Sequence, residues 1–314
     1  MGRYVARRLI QMIPVLILVM ALVFVVFRLI PGDPAQLMLG SNPNPESLAA
    51  LREKMGLDQP IPEQFARWLG AALRGDFGTS RIDDQSVLKL VLAKFPITLE
   101  LALVAMIIGC ALGIPAGVVA AVRRDSWTDL FVRVAGLFGF SVPNYWLAIL
   151  LVIVFSLKLG WVPPAGYTPP SKDLGAHLRY LALPALTMAL PIAAEQMRFL
   201  RASMLDVIHQ DYVRTARAKG LPPRVVVVNH ALKNAMIPFL TISGLQFGFL
   251  LGGSVVIEQI FSWPGVGWLT YQSIQSRDYA VVQGAVLLSA IGFLLINLLV
   301  DLGYSVLDPR IRLR

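Results

Sequence analysis

The chain carries little catalytic material of the usual kinds. His177, His209 and His230 fall outside the long apolar runs, and the single cysteine, Cys110, lies inside one with no base spaced to activate it. No pair of metal-ligating residue types recurs on one helix face, and one cysteine excludes an intrachain disulfide. No stretch reads G-x-x-x-x-G-K-[ST], so the chain has no phosphate-cradling loop of its own. What remains is polar material in or beside apolar runs: Glu100, Asn144, Glu195, Gln246, Asn297 and Asp301. Ionisable groups in such runs are costly and tend to face a cavity or a partner. Glu100, Glu195 and Asp301 fall near run ends, within reach of headgroup water. Asn144 and Gln246 lie deeper and are the candidates for facing a cavity, with helix-packing hydrogen bonds as the plain alternative. The other chemical feature is the basic stretch HQDYVRTARAKGLPPRVVVVNHALKNAMIP, residues 209–238.

The elements that hold these residues are dictated by composition. Of 314 residues 56% are hydrophobic and only 15% charged, against about 25% charged in soluble domains. The net charge of +9 is clustered at the ends of apolar runs, which fits the positive-inside rule rather than a groove for nucleic acid. Six segments reach the roughly 20 residues that cross a bilayer: 9–27, 101–122, 134–157, 180–197, 235–257 and 284–305. The fold class is therefore an all-α polytopic membrane protein with six transmembrane helices and a large external loop between the first two. Arg3, Arg7, Arg8, Arg123, Arg124, the arginines and lysines of 198–233, and Arg310, Arg312 and Arg314 all fall on one side. The rule makes that side cytoplasmic, together with both termini. The first apolar run is too long for a signal peptide and lacks a small-residue cleavage site, so it reads as an uncleaved anchor. Residues 31–96 read as short amphipathic helices separated by proline and glycine, either a solvated cap or a docking surface.

Two glycine stripes have a four-residue spacing, Gly109–Gly113–Gly117 and Gly244–Gly248–Gly252. Small residues at this spacing let helix backbones approach closely, and such faces either pack or slide. Pro115, Pro143 and Pro191 fall inside spans, where kinks are expected.

From Met204 onward the pattern predicts a helix that leaves the membrane, with Leu205, Ile208, Tyr212 and Ala216 as an apolar stripe. Asp211 precedes Arg214 by three residues, the spacing of a helical ion pair. Gly220 stops the helix and Pro222 or Pro223 opens another. The run 225–228 prefers strand by propensity and is read as helix from context alone. Helix, bend, helix is a shape that plugs a groove on another protein; a basic loop on anionic lipid is the alternative.

RTARAKG followed by HALKNAMIP resembles the cytoplasmic loop of type I permeases of ATP-binding-cassette importers, E-A-A-x-x-x-G, nine residues, I-x-L-P. Ala216, Gly220 and Leu232 match; Arg214, Thr215, His230 and Lys233 depart from it as the peptide and nickel branch does. RLIPGDP, MGLDQP, FSVPNYWLA, RASMLDVIHQDYVRTARAKG, GGSVVIEQIFSWPGVG and VDLGYSVLDPRIR extend the resemblance to B-type permeases of that branch along the whole chain. Ala280 departs, standing where the branch commonly has proline.

The resemblance implies an anchor helix and external loop over 1–96, a type I transmembrane core over 97–307 with a coupling loop at about 200–234, and a tail at 308–314. It implies that Asp211, Tyr212, Arg214, Ala216, Arg217 and Gly220 couple the pore to ATPase subunits. The implied partners are a homologous C-type permease in a heterodimer, two ATPases that bind ATP and Mg, and an external or periplasmic binding protein. The last would dock on external loops that include the turn at 263–267. No cofactor, metal or catalytic residue is implied in this chain, and the bacterial inner membrane is the implied location. The implied cargo is a dipeptide or oligopeptide, with glutathione, nickel or another small solute as alternatives. An ATP-independent secondary transporter would usually need more spans, an inverted repeat and a charged midplane relay, and the sequence shows none of these.

Overall fold

A computed structural model describes residues 2–29, 35–36 and 44–307. Residues 30–34 and 37–43 and the expected tail at 308–314 fall outside the described residues. The described chain is nearly all helix and divides into two compact units, 1–96 with 265–292, and 97–264 with 293–314.

In the first unit, α1 spans Gly2–Leu29. It is followed by α2, Pro45–Met55, and α3, Ile61–Leu73, the short helices that proline and glycine punctuation predicts. Asn44 caps α2 through its side chain and Pro45 occupies its first turn, where a missing N–H costs nothing. Gly56 ends it with φ +66°. Met20 of α1, Phe65, Trp68 and Ala72 of α3, and Leu287 share one apolar cluster, with Phe24 edge-on to Phe65 at 5.4 Å. A second cluster joins Val87, Val91, Val266, Leu269, Val281 and Ala285. Ala280 leaves its turn without a proline's constraint, but Asp278 ties that turn instead. Its buried carboxylate accepts from Ser80 Oγ at 2.6 Å and from the Arg81 N–H at 2.9 Å.

The second unit is built around α7, Leu174–Ile208. Around it lie α4, Val87–Val122, α5, Trp127–Ser141, α6, Asn144–Leu151 continued by a wide π turn over Val152–Lys158, and α10, Lys233–Gly253. The inner side of α7 is lined by Leu181, Ala185, Met188, Ala189 and Ile192, which meet Leu101, Ala105, Leu250 and Leu251 in the main core. Phe261 and Trp263 complete that core. Trp263 is wholly buried and donates its indole N–H to the Ile97 carbonyl at 3.1 Å. Its side chain therefore holds a turn together and is not available for docking, contrary to the expectation for 263–267.

The six expected spans are not matched one for one. Among the described residues, four single helical stretches are long and apolar enough to cross a membrane: Ala6–Val26, Val87–Val122, Pro223–Gly252 and Tyr279–Leu299. The third expected span is a bent pair, α5 and α6 with its π turn, folded by 103° at its break. Pro143 does more than kink it. Val142 is driven to extended backbone, φ −79° and ψ 124°, as a residue before proline tends to be. The fourth, 180–197, is part of the much longer α7, where Glu195, Gln196, Arg198 and Arg201 dilute its apolar character. The fifth ends early: α10 stops at Gly253 and a separate short helix, α11, takes Val255–Ile260. The chain passes through Pro115 and Pro191 without interrupting α4 or α7.

The first glycine stripe is a packing seam. A Cβ at Gly109 would lie 2.7 Å from Ile192 Cγ2, at Gly113 2.9 Å from the Ala193 carbonyl oxygen, and at Gly117 2.8 Å from the Met197 carbonyl oxygen. Backbone cannot yield as a flexible side chain can. Gly113→Leu is thus expected to destabilise the chain by at least the roughly 1–3 kcal/mol of overpacking, read as a fall in monodisperse protein after detergent extraction. The second stripe differs: Gly248 meets the Phe293 ring, whereas a Cβ at Gly252 would touch nothing.

Candidate functional site

Two places in the second unit gather the residues singled out from sequence. The first is the bent segment after α7. That helix ends at Ile208, and His209 and Gln210 break the chain before α8, Asp211–Ala218. The apolar stripe predicted across this break is consequently out of phase. In α8 the inward residues are Val213 and Ala216, which with Val226, Val207 and Leu221 form a small core of their own. Tyr212 is 43% exposed. Asp211, Arg214, Arg217 and Gly220 are exposed with it, and Asp211 pairs with Arg214 on the open face.

Gly220 ends α8 as expected, with φ +76° and its N–H donated to the Arg217 carbonyl at 2.9 Å. The Leu221 N–H reaches back to Ala216. Pro222 and Pro223 then open α9, Pro223–Val225. A wide π turn over Val226–Leu232 carries the chain into α10, so the strand-prone valines are helical. Of the six residues assigned here from sequence, five face outward and Ala216 faces inward. Val213 and Val226 were missed; their spacing becomes readable once the helix is restarted at Asp211.

The second place is a pocket of about 400 Å3 lined by Phe140, Asn144, Glu195, Gln246, Phe249 and other apolar residues. Both cavity candidates, Asn144 and Gln246, are on its wall. Glu195 is there too, within α7 and thirteen residues before its end at Ile208. The Gln246 amide donates to Glu195 Oε2 at 2.6 Å and accepts from Gln196 Nε2 at 3.1 Å. Gln196 also reaches Ser243 Oγ at 3.3 Å, and its own carbonyl oxygen is buried with no partner. Gln196 was not singled out from sequence. Glu100 is elsewhere, bonded at 2.9 Å to Nε2 of the buried His177, whose Nδ1 is 2.7 Å from the Thr168 carbonyl oxygen. No metal-binding group of three or more His, Cys, Asp or Glu occurs among the described residues.

Helices long and apolar enough to cross a membrane, a seam of glycine contacts and a pocket with polar groups on its wall define a helical membrane protein. The comparisons with known proteins agree. Residues 113–313 match the family described as binding-protein-dependent transport system inner membrane component, and residues 1–102 match its N-terminal counterpart. The chain belongs to that family and is a permease subunit of an ATP-binding-cassette importer. It is 43% identical over 312 residues to the glutathione transport system permease protein GsiC of Escherichia coli, with 99% of each chain covered. A Brucella abortus protein provisionally described as a peptide transport system permease is 46% identical over 312 residues, again with 99% of each covered. Among solved structures, an inward-facing MetNI methionine ABC transporter chain matches with a TM-score of 0.56 at 19% identity, covering 70% of this chain and 96% of its own. A chain of an amino acid ABC transporter gives 0.50 at 16% identity, covering 71% and 94%. At these identities the two structures speak for the fold.

Proposed function

We propose that this permease moves short peptides, and that the segment 209–234 is the lever by which ATPase subunits work it. The substrate class rests on relatives named for glutathione and for peptides; glutathione is itself a tripeptide, so one class covers both names. In this reading the chain pairs with a homologous second permease, two ATPases bind ATP and Mg, and an external binding protein delivers the cargo. Both termini and the bent segment are cytoplasmic, on the side where arginine and lysine concentrate.

The observation that carries the lever is the division of labour in α8. Val213 and Ala216 anchor it inward while Tyr212, Arg214 and Arg217 point away from the chain. A short helix fixed on its own core transmits a push that a flexible loop would dissipate. The pocket at Asn144 and Gln246 is assigned to the solute path.

A photo-crosslinking residue at Tyr212 in the assembled complex is expected to capture an ATPase subunit, and one at Val213 is not. Failure at Tyr212, with the ATPases still copurifying, would remove the lever. Uptake of labelled dipeptide and glutathione but not nickel would support the cargo class; nickel uptake alone would replace it.

A further inference from the structure

Glu195 is unusual in its surroundings. It is half-buried on the pocket wall, two-thirds of the way along α7, and opposite apolar and aromatic side chains. Gln246 holds one carboxylate oxygen, and no basic side chain forms an ion pair with Glu195 among the described residues. The nearest basic residue on its helix, Arg198, instead stacks its guanidinium over Phe140 at 5.1 Å and Phe199 at 5.8 Å. A carboxylate in a membrane helix is expensive unless it faces a partner or a water-filled cavity. Here the bond from Gln246 fixes the rotamer and leaves the second oxygen to the pocket. Phe249, largely exposed, adds an aromatic face to the same space, whereas the Phe140 ring already carries the Arg198 guanidinium. An anionic oxygen beside an aromatic face is the arrangement that receives an ammonium ion.

We infer that the pocket at Glu195 is a way-station in the path, where the carboxylate is counter-ion to the ammonium group of a passing solute. This rests on the assignment of the pocket to the path, and it adds a recognition of the solute's amino end that the permease itself imposes. Asn144, which also lines the pocket, offers an amide to the solute's uncharged polar groups. The site needs only weak affinity, because a path must release what it holds.

The test needs no natural substrate. In the assembled complex with Cys110→Ala, Asn144→Cys puts a thiol on the pocket wall. Its modification rates by a cationic and an anionic methanethiosulfonate are compared with those of a free thiol, in the presence and absence of ATP. Relative to the free thiol, the cationic reagent is expected to be favoured about tenfold by a fixed charge lining the same pocket. Glu195→Gln should bring the ratio back to the free-thiol value. Gln246→Leu, which removes the bond but leaves the charge, should keep the preference, and it serves as the check should Glu195→Gln fail to assemble. A thiol that reacts without charge preference, a preference that survives Glu195→Gln, or one that vanishes in Gln246→Leu overturns the inference. A thiol unreactive in every nucleotide state would instead sink the assignment of the pocket to the path.

Discussion

Gly220→Pro is expected to abolish ATP-driven uptake while the protein still reaches the membrane. Gly220 has φ +76° and donates its N–H to Arg217. Proline fixes φ near −65° and has no N–H, so the substitution reverses the turn and deletes its hydrogen bond together. A Cβ at this position would meet nothing, so the damage acts through the backbone and not through lost packing. The other substitutions should therefore grade. Gly220→Asn, which tolerates the left-handed region, should retain most uptake, and Gly220→Ala should lose part of it for roughly 1–2 kcal/mol of strain. Arg217→Glu, which keeps the turn and reverses an outward charge, should also stop uptake. Uptake of labelled peptide normalised to membrane abundance reads all four. Equal activity in the proline variant and the parent would dismiss the lever.

Removing the guanidinium of Arg201 should cost more stability than removing the charge of its partner. Asp129, in the first turn of α5, has no exposed surface, and Arg201 of α7 grips it with two bonds, Nε to Oδ1 at 2.6 Å and Nη2 to Oδ2 at 2.8 Å. The same carboxylate accepts the Asp125 N–H at 3.1 Å, and Arg133 stands 3.6 Å away. Arg201→Ala leaves a buried anion with a half-exposed helper, a loss of about 3–5 kcal/mol. Arg201→Lys should fall between, since an ammonium cannot reproduce the planar fork. Asp129→Asn strands Arg201 instead, but that side chain retains 19% exposure and can turn its charge toward water. The expected order of apparent melting points in detergent is parent, Asp129→Asn, then Arg201→Ala. Parent-like melting of Arg201→Ala would refute the account.

Long apolar runs made the helical membrane architecture legible, and glycine spacing marked the α4–α7 seam. The breaks were less legible. Pro143 splits its span and Pro115 does not, because the outcome depends on which neighbours satisfy the freed backbone groups. Nothing in His209-Gln210 signals a helix end, so the apolar stripe was carried across it and Tyr212 was placed on the wrong face. Asn144 and Gln246 stand out in the sequence because they interrupt apolar runs, and both line the pocket. Their association with Glu195 and Gln196, like the pairing of Asp129 with Arg201 across 72 positions, has no local signature.

The self-contained core of Val213, Ala216, Val226, Val207 and Leu221 has a consequence for how such subunits diversify. The outward side chains lie outside that cluster, so they can be exchanged with its apolar contacts left in place. On the proposed reading of this segment as a lever, those outward side chains are where the choice of one engine over another would be written.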